Sequence, residues 1–75
     1  MKVDIDIMDI NPIVNVGTAK TPMYVLDATW MTVLYEKATG KDFKGDDDYV
    51  EFTDRFVKEY NEGGFDTTLA IKRMM

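Results

Sequence analysis

The sequence contains no cysteine and no histidine. Without cysteine there is no disulfide framework, no thiolate zinc site and no sulfur nucleophile. Without histidine the chain lacks the commonest general base and the commonest metal ligand near neutral pH. The two absences together exclude Ser-His and Cys-His catalysis within the chain, and the usual zinc hydrolase sites. An enzyme made from these residues would rely on carboxylates and a bound metal. No pair of acids has a spacing that singles it out for such work. The chain is therefore read as a non-enzyme, with no metal and no cofactor expected.

Positive charge is also scarce, with nine Lys and Arg against fourteen Asp and Glu. Phosphate affinity needs clustered Lys and Arg, so direct nucleic-acid binding is disfavoured. No apolar run approaches the roughly 20 residues of a membrane span. Residues 2–10 are acidic and alternating, unlike a signal peptide. The expected compartment is the cytoplasm, and a host cytoplasm if a phage or mobile element carries the chain. With 75 residues, residues 1–75 are read as a single domain. Chains of this size bury only about 60% of their unfolded surface, so their stability is marginal.

What is present is unevenly placed. Residues 42–54 hold Asp42, Asp46, Asp47, Asp48, Glu51 and Asp54 against the single Lys44, and so carry a charge of −5, equal to that of the whole chain. The other segments nearly cancel. A basic partner is favoured by such a patch through electrostatic steering.

The longest apolar pattern spans residues 21–39 and includes the single tryptophan, Trp30. Thr21 is an acceptable helix N-cap, Pro22 suits the first helical position, and Thr39-Gly40 suits a helix end. At about 100° per residue, Met23, Leu26, Trp30, Val33 and Leu34 form one stripe. Tyr24, Met31, Tyr35 and Ala38 widen it, and Asp27 and Lys37 interrupt it. A face this wide predicts packing on more than one side. The outer flank is expected either under the C-terminal segment or against another chain.

Ahead of that helix, Val3, Ile5 and Ile7 alternate with Lys2, Asp4 and Asp6, the period of a half-buried strand. The phase slips after Ile7. Asn11-Pro12 reads as a turn and 13–16 as a second strand, so an N-terminal β-hairpin is expected. Residues 17–20 and 40–45 are connections, with Phe43 expected to plug the core between the helices. The second helix is predicted over 46–62. Asp46, Asp47 and Asp48 crowd its first turn, where negative charge suits the helix dipole. Asp48 as the cap would put Glu51 in capping-box position. Tyr49, Phe52, Phe56 and Tyr60 form its apolar face. Glu51–Arg55 and Asp54–Lys58 are favourable i,i+4 pairs on the other face. Gly63-Gly64 ends it. Residues 65–75 fit either an Asp66-capped helix or a strand in which Phe65, Thr67, Leu69 and Ile71 alternate. A strand is preferred, because two strands make a poor floor for two helices. The expected class is α+β, in the order ββααβ with antiparallel helices.

Motif tests narrow the chemistry. Counted from Asp42, a calcium loop would need Gly at Asp47 and Glu at Thr53; counted from Asp46, it meets Val50 at position 5 and again has no central Gly. The acid run therefore reads as a charged helix start and a solvated loop. The segment 17–21 lacks the glycines of a phosphate loop. The aromatic face of the second helix has core spacing rather than that of a base-stacking platform. Asp27, on an apolar face, reads as a rim residue that is paired to a Lys or hydroxyl or simply solvated, or alternatively as a polar contact in an interface.

The sequence thus leads to a small acidic protein-binding module. Its contact residues are Asp42, Asp46, Asp47, Asp48, Glu51 and Asp54, and its partner is a basic protein. In sharper form it is an inhibitor that mimics nucleic acid on a basic surface. Small size, acidity and the lack of His and Cys fit a profile common among phage and mobile-element accessory proteins. The alternative is a self-assembling scaffold protein, a homodimer through the outer face of the first helix at Tyr24, Asp27, Met31 and Tyr35.

Overall fold

The computed structural model describes residues 5–75 and is α+β. A short 3-10 turn, Ile7–Asp9, leads into strand β1, Ile13–Asn15, and strand β2, Tyr24–Leu26. Three helices follow: α1, Ala28–Thr39; α2, Asp47–Glu62; and α3, Thr67–Met74. β1 and β2 pair antiparallel, with Ile13 opposite Leu26, Val14 opposite Val25 and Asn15 opposite Tyr24. The order is therefore ββααα rather than ββααβ.

The hairpin forms later in the chain than its alternation suggests. Of the expected first strand, residues 2–4 lie outside the described residues. Residues 7–9 make a 3-10 turn because Asp6 caps it, its carboxylate accepting from Met8 N at 2.9 Å. The slip in phase after Ile7 marks this turn. It aims Ile10 into the core, where it is fully buried. The partner of β1 comes instead from the segment read as the start of the first helix. Asn15 makes this possible, its Oδ1 accepting from Gly17 N and Met23 N at 2.9 and 3.0 Å. Val16 N donates to Met23 O at 2.8 Å, and Thr18 and Thr21 bond each other across the tip. Gly17 is required by close approach, since a Cβ there would press on the Thr21 carbonyl.

Helix α1 begins at Ala28, six residues later than Thr21 as cap and Pro22 as first helical residue suggest. Asp27 is its N-cap, with extended backbone and a carboxylate accepting from Trp30 N at 3.0 Å. This removes Met23, Tyr24 and Leu26 from the helix. The centre of its apolar face then moves to Met31, Leu34, Tyr35 and Ala38, spaced i, i+3, i+4 and i+7. Met31 and Tyr35, read above as surplus flank, are 1% and 2% exposed, whereas Met23 is 61% exposed. The end at Gly40 is as expected, with a left-handed backbone at φ 72°.

Helix α2 begins one residue after Asp46, which is the cap in place of Asp48 and accepts from Tyr49 N at 3.4 Å. The helix stops in a six-to-one turn. Phe65 N donates to Tyr60 O at 2.9 Å, Gly64 is left-handed at φ 80°, and the Phe65 ring meets the Tyr60 ring. The closure holds Phe65 at φ 63°, unusual for a residue with a side chain.

The tail is the Asp66-capped helix, not a strand. Asp66 accepts from Leu69 N at 3.0 Å. Ala70 and Ile71 are buried, with Thr67 and Met74 half-buried on the same face. Packed on α2, this helix completes the core with Ile10, Met31, Val33, Leu34 and Phe56. Arg73 pairs with Glu59 at 3.6 Å, while Arg55 donates to the Arg73 carbonyl at 3.4 Å. Glu51–Arg55 and Asp54–Lys58 are not among the ion pairs of the described residues.

The register of α1 is open to measurement. Met31→Ala should destabilise the protein by about 2–5 kcal/mol, the usual range for an emptied core position. Met23→Ala should change stability by less than about 0.5 kcal/mol. Urea unfolding of both variants reads the difference, and equal losses would contradict a helix starting at Ala28.

Candidate functional site

The six carboxylates singled out in the sequence are all exposed. The structure divides them into two groups. Asp47, Glu51 and Asp54 stand i, i+4 and i+7 on the outer face of α2, opposite Tyr49, Phe52 and Phe56, and so form one acidic stripe. Asp42, Asp46 and Asp48 gather around the loop between α1 and α2. With Tyr35, Lys41 and Lys44 they line an open depression of about 290 Å³.

The depression owes its shape to the aromatic packing below it. Tyr35 projects from the last turns of α1 into the edges of Tyr49 and Phe52, with ring centroids 5.5 and 5.4 Å away and near-perpendicular planes. Such edge-to-face pairs stabilise beyond their buried area. Phe43 lies edge-on to Tyr49 at 4.7 Å but remains half in solvent. It covers this aromatic group from the loop and does not plug the space between helices. The loop is tied to α1 by Glu36, whose carboxylate accepts from Phe43 N at 3.0 Å.

Charge within the depression is partly compensated. Lys41 Nζ donates to Asp48 Oδ2 at 3.0 Å, with both side chains more than half exposed. An ion pair this open contributes little to stability. Asp46 is occupied in part by its cap, whereas Asp42 makes no side-chain hydrogen bond or ion pair among the described residues. Lys44 is likewise without an ion pair among them. No group of three acids among the described residues could hold a metal ion. No helix among them is long and apolar enough to cross a membrane.

The four residues proposed for a dimer face do not share a surface. Tyr24 is on β2 and 63% exposed, Asp27 caps α1, and Met31 and Tyr35 lie in the core. A contact through Met31 and Tyr35 is thereby corrected, because the chain covers both itself. The exposed apolar surface lies instead on the hairpin. Val16, Met23, Tyr24, Val25 and Leu26 are all exposed there. By strand alternation Val14, Val16, Met23 and Val25 share one face. Sequence reasoning missed this face because it placed 21–26 in a helix. It also missed Lys41 as a neighbour of the acidic group. Its position next to Asp42 was the available signal.

Lys41 generates a pH prediction. Its hydrogen bond and charge attraction to Asp48 hold its ammonium above the ordinary 10.5. A raised amine pKa stabilises the fold below the unfolded value, and that contribution fades as pH rises through the folded value. The pair should therefore be unaffected around neutral pH and be lost on the alkaline side as Lys41 deprotonates. Titrating the Lys41 ε-methylene by NMR should give a midpoint above 10.5 that falls back in Asp48→Asn. An unshifted midpoint in the unaltered protein would remove the pair in solution.

No protein-family model matches the chain, and neither does any curated protein or solved structure.

Proposed function

We propose that the chain is a small acidic protein-binding module that docks on a basic surface of a partner protein. One observation carries this reading. The six carboxylates of 42–54 are exposed, and among the described residues only Asp48 is held by a cation. Charge left unpaired at a surface is available to a partner and steers its approach. The spacing supports the sharper form, mimicry of nucleic acid. Asp47, Glu51 and Asp54 follow one line along α2, with the Asp42, Asp46 and Asp48 group at its N-terminal end. A row of carboxylates can replace a row of phosphates on a nucleic-acid-binding surface, and occupation of that surface inhibits its owner. A phage or mobile-element origin fits such a role.

Decalysine and decaarginine peptides are suitable probes. The protein should bind them, and about tenfold more salt should weaken binding strongly, as screening shortens the reach of exposed charge. Replacing Asp46, Asp47 and Asp48 together by Asn should reduce affinity by about tenfold or more. Asn caps a helix about as well as Asp, so α2 keeps its start. Unchanged affinity in the triple variant would end this reading.

The hairpin supports a second reading, self-association. Its face of Val14, Val16, Met23 and Val25 bears no charge, and isolated two-stranded sheets are marginal in water. A second copy packed face to face on the hairpin would cover these side chains. Light scattering at high micromolar concentration should then give a dimer mass, and Val25→Lys should return it to monomer. A monomer at that concentration would remove this reading and leave the acidic one intact.

A further inference from the structure

The depression beside the α1–α2 loop contains one residue that a solvated acidic cluster does not require. Tyr35 is buried to 98% by its 2% exposure, yet it lines the depression. Its ring is held by Tyr49 and Phe52. Its hydroxyl makes no hydrogen bond among the described residues, nor is it one of their sealed, unsatisfied atoms. The polar tip of an otherwise buried side chain therefore faces the opening. A phenol in a core position serves packing no better than phenylalanine, and a buried Tyr hydroxyl usually has a partner.

Resting on the docking function proposed above, we infer that this depression is a socket for the guanidinium of a partner's arginine. The Tyr35 hydroxyl forms its floor, and the Asp42 and Asp46 carboxylates form its wall. Charge decides for a cation over an anion. Lys41 is already engaged by Asp48 at 3.0 Å. That leaves Lys44 against Asp42 and Asp46 inside, with the Asp47, Glu51 and Asp54 stripe beyond. At about 290 Å³ the open depression has room for a single long side chain. Shape decides for arginine over lysine. A planar fork of N–H donors can reach a phenol oxygen and a carboxylate at once, which a point ammonium does less well. Tyrosine and arginine are also the residue types that anchor interfaces from pockets of this kind.

Tyr35→Phe tests the socket, because it removes only the hydroxyl and keeps the ring among its aromatic neighbours. The unaltered protein should bind decaarginine about five- to tenfold more tightly than decalysine at equal salt, the worth of one or two charge-assisted hydrogen bonds. Tyr35→Phe should lose that preference while keeping its affinity for decalysine. Asp42→Asn should lose the preference as well. Thermal unfolding of both variants should match the parent, so lost binding can be separated from lost folding. Equal binding of the two peptides by the unaltered protein would overturn the socket and leave the acidic docking surface standing. A preference that survives in Tyr35→Phe would do the same. Failure to bind either peptide would overturn both.

Discussion

Asp27 sits at the joint on which the rest of the molecule depends. Its backbone N–H donates to the Pro12 carbonyl at 2.7 Å, which extends the β1–β2 pairing by one more bond. Its carboxylate accepts from Trp30 N, and its own carbonyl accepts from Met31 N at 2.9 Å. One residue thus ends a strand and starts a helix with no connecting loop. Moving that start by one residue would turn α1 by about 100° and carry the centre of its buried side round to the flank. The burial of Met31, Leu34 and Tyr35 follows from where Asp27 stands.

The core assembled on that register is small and aromatic. Phe56 at its centre is fully buried, with Ile10 from the turn, Met31 and Leu34 from α1, and Ala70 and Ile71 from α3. Tyr35, Tyr49 and Phe52 continue it toward the acidic end, where Phe43 covers it only in part. The charged loop is thereby seated on rigid packing. Lys41, Asp42, Lys44, Asp46 and Asp48 project from a backbone held by Glu36 and by the start of α2. The hairpin is the contrasting part. Ile13 packs on the core, whereas Val16, Met23, Tyr24, Val25 and Leu26 remain exposed.

Helix α2, both of its ends and its aromatic face were legible in the sequence, since Asp and Gly mark its boundaries and a single period runs between them. The acidic stretch was equally plain, as charge of one sign in a short segment needs no fold to be seen. The hairpin was not. Its second strand carries an N-cap signal in Thr21-Pro22 and an apolar spacing that joins the helix pattern downstream. Only the long-range pairing with β1, assisted by Asn15, shows that the segment is extended. The tail offered helix and strand on nearly equal terms, and the helix prevails because its Ala70 and Ile71 face fits against Phe56 on α2.

The sequence by itself determined the α+β class, the charge and its location, the extent of α2, the glycine stops, and the lack of imidazole and thiol chemistry. These are local or compositional properties, written in residue types and short spacings. Tertiary structure alone decided which strand meets β1, where α1 begins and therefore which of its sides is inside, and that the Tyr35 hydroxyl opens among the carboxylates of the α1–α2 loop. Each of those depends on contacts between residues distant in the chain, where two locally acceptable conformations compete and burial chooses between them.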